Sequence, residues 1–166
     1  EPEGLTTHEI ARAFLVPEST IAQRIVRAKR ALADASVPFE VPRGEQLTER
    51  LGSVLEVVYL MFNEGYTASS GDDWMRPTLC DEALRLGRML AELAPQQAEV
   101  HGLVALMEIQ ASRTAARTDA QGNPVLLNQQ NRAHWDHLLI RRGLAALDRA
   151  ERLMQAPGNY CLQATI

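Results

Sequence analysis

The sequence of 166 residues predicts an all-α fold, a short helix-turn-helix followed by antiparallel helical hairpins. Composition points there first: aromatic residues make up 5% of the chain while Ala, Leu, Arg and Glu recur, side chains that lose little rotamer freedom in a helix. Patterning agrees, because apolar residues return at helical spacing in one segment after another. Proline- and glycine-containing stretches separate those segments.

Thr6 or Thr7 is a suitable N-cap for the first helix, with Glu9 or Glu3 close enough to favour its positive end. Ile10, Ala11 and Phe14 follow at helical spacing. Leu15-Val16-Pro17 interrupts, since a residue before proline is pushed out of the helical region. Pro17 suits the first turn of a second helix, whose apolar stripe is Ile21, Ile25, Ala28 and Leu32. Two short helices joined by a tight turn make a helix-turn-helix. The outer face of the second helix carries Ser19, Thr20, Gln23, Arg24, Arg27, Lys29 and Arg30, and no acidic residue lies between Ser19 and Ala33. The net charge of −4 therefore conceals a local basic face. Such a face either neutralises phosphates and reaches base edges, or is simply solvated, and spacing does not separate the two.

Residues 36–46 read as a linker, because Pro38 and Pro42 forbid a continuous helix. From Leu47 the chain returns to helical patterning. Leu47, Leu51, Val54, Leu55, Val58 and Phe62 mark one helix, and Pro77 restarts a second that carries Leu79, Ala83, Leu86 and Leu90. A third spans roughly residues 97–115. After the turn at Asp119–Pro124, Asn131 is expected to cap a long helix that Gly158 ends, and one more helix begins. Such hairpins resemble tetratricopeptide-type repeats, with a period of roughly 34 residues only loosely met.

Leu5-Thr6-Thr7-His8-Glu9-Ile10-Ala11, Pro17-Glu18-Ser19-Thr20-Ile21-Ala22-Gln23-Arg24-Ile25 and Arg27-Ala28-Lys29-Arg30-Ala31-Leu32 resemble region 4 of the extracytoplasmic-function RNA polymerase sigma factors. Tyr59–Tyr66, Glu82–Leu90, Glu99–Met107, Gly122–Leu127 and Arg132–Asp136 are similar to the helical, repeat-like C-terminal extension of one subgroup of that family. The resemblance implies a fragment: partial region 4 at 1–35, the linker at 36–46 and a tetratricopeptide-like extension at 47–166. It implies that Ser19, Thr20, Gln23, Arg24, Arg27 and Arg30 face the −35 promoter element. It implies partners in core RNA polymerase and in sigma region 2 or the linker between regions 2 and 4, with regulation through the extension. Where the subgroup tends to carry aspartates before its Arg-x-x-Trp-Asp stretch, this chain has Gln129 and Asn131, so an ionic or metal role for that loop is not expected.

Nothing in the motifs asks for catalysis: there is no nucleophile elbow, phosphate loop or HExxH. His134 and His137 are spaced to share a metal, but no third ligand is placed, so no cofactor or metal is expected. Cys80 and Cys161 lie far apart and read as buried hydrophobes of a reduced, cytoplasmic protein. No apolar run approaches the ~20 residues of a membrane span. Asn63, Glu64, Tyr66, Trp74, Arg113, Arg117, Arg132, Trp135 and Asp136 are the candidates for an interaction groove, a polar network with aromatic anchors. Either that network locks helix ends together, or the groove clasps a sigma segment or a small effector. Rival readings are a helical-repeat adaptor that binds no DNA and a small-molecule sensor. Self-association through Ile10, Phe14, Ile21 and Ile25 is a further expectation.

Overall fold

The computed structural model describes residues 5–35, 45–68, 75–156 and 158–166. The chain is all-α, as predicted. Among the described residues the helices are α1 (Thr7–Ala13), α2 (Glu18–Asp34), α3 (Glu45–Tyr66), α4 (Pro77–Leu93), α5 (Ala98–Ala111), α6 (His137–Leu153) and α7 (Asn159–Thr165), with three short 3-10 turns between α5 and α6. They form two compact units, Glu1–Leu79 and Cys80–Ile166, divided in the first turn of α4. Of the linker expected at 36–46, residues 36–44 lie outside the described residues, while Glu45 and Gln46 already belong to α3.

In the first unit, α1 opens with a capping box. Thr6 Oγ1 accepts the Glu9 N–H at 3.3 Å, and Glu9 Oε2 accepts the Thr6 N–H at 2.6 Å, so two otherwise orphaned donors are satisfied reciprocally. The helix ends in a paired closure: Leu15 N–H donates to the Arg12 carbonyl at 3.1 Å, and Val16 N–H to the Ala11 carbonyl at 3.0 Å. This closure puts Leu15 at φ 52°, a left-handed position usually taken by glycine. Leu15 is 92% exposed, so no burial offsets that conformation.

α2 departs from its expected apolar stripe. Ile21 is buried and Ile25 half-buried, but Ala28 is exposed and Leu32 is 62% exposed. The reason is length: seven residues of α1 span about 10 Å, enough to cover only the first turns of a 17-residue helix. α3 buries Leu51, Leu55, Val58 and Phe62 on one face, and the Phe62 ring stacks on Tyr66 at 5.5 Å. Val54, expected in that stripe, is 41% exposed.

The second unit is organised around α5, which is apolar on all sides and buried over most of its length, including Val100, Leu103, Ala105 and Met107. α6 and α7 both pack on it. Gly102 and Gly143 make the close approach possible. A Cβ at Gly102 would lie 2.6 Å from Cys161 Sγ, and one at Gly143 would lie 2.7 Å from Ile109 Cγ1. The Glu99 carboxylate accepts the N–H groups of Tyr160 at 3.0 Å and Cys161 at 3.2 Å, so a side chain of α5 caps the start of α7.

Boundaries around the excursion at 112–136 differ from expectation. α5 stops at Ala111, and Asn131 caps only a 3-10 turn at Arg132–His134. α6 begins later, because Asp136 accepts the N–H groups of Leu138 and Leu139 at 2.8 and 3.1 Å while its own N–H donates to the Ser112 carbonyl at 2.8 Å. That pair of interactions fixes the helix start and closes the excursion at once. At the other junction α6 ends at Leu153, and Gly158 serves as the N-cap of α7.

Cys80 and Cys161 are free and buried. Burial, with the nearby Asp81 charge, pushes the Cys80 thiol up to about 12; burial, with the Glu99 carboxylate, does the same for Cys161.

Two outcomes are expected. Leu15→Gly should raise the free energy of unfolding by about 0.5 kcal/mol in urea, since relief of the left-handed penalty exceeds the extra chain entropy of glycine. The folded thiols hold their protons more tightly than unfolded ones, so their contribution is complete below pH 9 and is lost as pH rises towards 12. Alkylation by iodoacetamide at pH 8 should accordingly be far slower in the native protein than in urea, and equal rates would contradict it.

Candidate functional site

The first candidate is the outer face of α2. Ser19, Gln23, Arg24, Arg27 and Arg30 are exposed and Thr20 is half-buried. Ser19, Gln23, Arg27 and Arg30 follow one another four, four and three positions apart, which places them along one side of the helix. Among the described residues, Arg24, Arg27, Lys29 and Arg30 have no carboxylate partner. Four unneutralised cations within seven residues repel one another, and an anionic ligand relieves that repulsion. Arginine forks suit phosphate oxygens and guanine edges, while Gln23 can pair with adenine.

The groove residues fall into two groups. Asn63, Glu64 and Tyr66, at the end of α3, line a cavity of about 390 Å³ together with Leu60 and Thr67. Its opposite wall is Leu5 and, from α1, Glu9, Arg12 and Ala13. Glu9 is buried there: one carboxylate oxygen closes the capping box and the other meets the Arg76 guanidinium. Arg76 in turn donates its backbone N–H to the Gly65 carbonyl at 2.7 Å, so one residue ties α1 to the end of α3. Sequence reasoning offered Thr6 as one candidate cap and Glu9 as one candidate charge, but found neither the reciprocal box nor Arg76, because a partner 67 positions away leaves no periodic signal.

Arg113, Arg117, Arg132, Trp135 and Asp136 lie in the second unit. The Arg132 guanidinium sits over the Trp135 ring at 5.5 Å from its centroid, and Asp136 is the N-cap of α6. Both Arg132 and Asp136 are exposed, so they do not enter a buried network. Arg113 Nε and Trp135 Nε1 are buried without a hydrogen-bond partner among the described residues, and the Arg117 carbonyl accepts the Val125 N–H at 2.7 Å. Trp74 lies outside the described residues. Sequence reasoning also missed the Arg88–Glu108 pair, at 2.8 Å with Glu108 fully buried. Among the described residues no group of three His, Cys, Asp or Glu is placed to hold a metal ion, and no helix is long and apolar enough to cross a membrane.

Removing either partner of the Glu9–Arg76 pair strands the other where solvent reaches it poorly. Glu9→Gln and Arg76→Met should each cost about 2 kcal/mol, and the double variant less than their sum. Additive costs in a double-mutant cycle would show the pair to be uncoupled.

An uncharacterized protein of Rhizobium meliloti (strain 1021) is 47% identical to the chain over 163 residues, which cover 98% of the chain. The chain spans 38% of that curated relative's length. No solved structure matches. Residues 50–151, from α3 through most of α6, match the family of unknown function DUF6596, and the chain belongs to that family.

Proposed function

We propose that this chain is part of a bacterial RNA polymerase sigma factor of the extracytoplasmic-function type. In this reading α1 and α2 recognise the −35 promoter element, and the helices from α3 onward regulate the factor through protein contacts during transcription initiation. The observation that carries it is the α2 face, a stripe of cations without carboxylate partners that also bears Gln23. The resemblance of residues 5–32 to sigma region 4 supports the same assignment. Ser19, Thr20, Arg24, Arg27 and Arg30 bind the backbone and base edges, with Gln23 and Arg24 in the first half of the helix positioned to reach base edges. Partners are promoter DNA, core polymerase and sigma region 2 or the linker between regions 2 and 4. The protein works in the cytoplasm, without a cofactor and not as an enzyme.

A regulatory domain acts by binding one state of the factor better than another. The helices from α3 onward do so here by fixing where α1 is held, since the Glu9–Arg76 contact ties α1 to the residue that leads into α4. A second reading, a helical adaptor that binds no DNA, is favoured by one feature: Val26 and Leu32 of α2 are 59% and 62% exposed, apolar area that suits a protein partner.

Arg27→Ala should weaken promoter-fragment binding at every sequence and lower the salt dependence by about one phosphate contact, whereas Gln23→Ala should relax discrimination at one base pair by about 1–3 kcal/mol. Fluorescence anisotropy across a salt series reads both. Promoter-dependent transcription by the full-length parent with core polymerase, with and without residues after Val37, tests the regulatory half. A change in activity on truncation supports it and its sign separates activator from inhibitor. No transcription by the intact factor overturns the sigma assignment.

A further inference from the structure

The cavity between α1 and α3 is independent of the α2 face, and nothing in the DNA reading uses it. Its volume, about 390 Å³, lies at the lower end of the range for small-molecule sites. The lining mixes apolar and polar residues. Leu5, Leu60 and Tyr66 contribute apolar surface, and Asn63 and Thr67 contribute uncharged polar groups. The Asn63 side-chain amide is half-buried and has no hydrogen-bond partner among the described residues, so it offers both a donor and an acceptor at the cavity wall. The buried charge in the wall is already compensated, because Glu9 is held by Arg76 and by the Thr6 N–H. Of the remaining charged lining residues, Arg12 and Glu64 are of opposite sign. A charged ligand would find no unmatched charge to meet, whereas an uncharged one loses little on desolvation.

We infer that this cavity is a binding site for a small uncharged molecule with an apolar body and an amide-like donor–acceptor end, the end pairing with Asn63. Such a ligand touches α1 and α3 together, so its binding adds to the contacts that hold α1 in place and raises thermal stability as the logarithm of ligand concentration once that exceeds Kd. The inference does not rest on the sigma reading, and DNA binding by the same samples reports on that reading separately.

Benzamide has this chemistry and serves as the probe. Titrated into the full chain at millimolar concentration, it should shift the backbone amide resonances of Leu5, Ala13, Leu60 and Thr67 and raise the melting temperature. Ala13→Trp, which places a ring in the cavity from an exposed position, should abolish the shifts while the rest of the spectrum stays native. Asn63→Leu keeps the volume but removes the amide, and should weaken binding at least threefold while leaving promoter affinity unchanged. Absent shifts, shifts elsewhere in the protein, or shifts that survive Ala13→Trp would overturn the site. Affinity unaltered in Asn63→Leu would overturn the ligand class.

Discussion

The second unit depends on a helix that has no solvent face. α5 is apolar on every side, so every neighbour must cover part of it, and its few polar side chains each need a partner. Glu99 finds one in the first turn of α7 and Glu108 in Arg88. His101 Nε2 lies 3.0 Å from the Pro95 carbonyl and 3.2 Å from Arg149 Nε. One nitrogen cannot donate to the carbonyl and accept from the guanidinium in the same tautomer, so Arg149 reaches the same carbonyl with its second nitrogen at 3.3 Å. The polar groups of α5 therefore fix the register of the helices that its apolar surface merely attracts. Hydrophobic contact alone tolerates sliding, and hydrogen-bonded pairs do not.

In the first unit, α1 relies on point contacts. α1 is short, and its stability comes from its ends: the Thr6–Glu9 box at one and the Leu15 closure at the other. Glu9 takes part both in the cap and in the contact with Arg76, so a single carboxylate couples local helix formation to a long-range contact. A helix built this way is easier to displace than one with a large buried face.

Much of this was legible in the sequence. Pro17 and Pro77 gave helix starts, and the Thr6 or Thr7 cap choice included the one that forms, because caps and prolines act locally. The buried set Leu51, Leu55, Val58 and Phe62 followed from period alone. What escaped depends on distance or competition. Asn131 and Asp136 are both good caps, and the choice between them was made by Ser112, whose carbonyl takes the Asp136 N–H. Leu15 gave no sign of a left-handed conformation, because the residue type usual there is glycine. The cavity-lining residues Asn63, Glu64 and Tyr66 were singled out by sequence, but their neighbours Leu5, Glu9, Arg12 and Ala13 belong to a segment some fifty positions earlier, and no pattern along the chain links the two.

The charge distribution carries the last step. A chain of net charge −4 holds its α2 cations apart from its carboxylates, although Glu18 and Asp34 bracket the same helix. A merely solvated helix gains from opposite charges three or four positions apart, as Arg85 and Glu82 or Arg152 and Asp148 show elsewhere in this molecule. α2 forgoes that gain along its whole middle and leaves most of its length exposed. Its helicity rests on residue propensity and on the Pro17 start rather than on packing, so an anionic surface that neutralises Arg24, Arg27, Lys29 and Arg30 would stabilise the helix as well as bind it. On the proposed promoter-binding reading, order in α2 and binding by α2 are one equilibrium, and salt that weakens the second loosens the first.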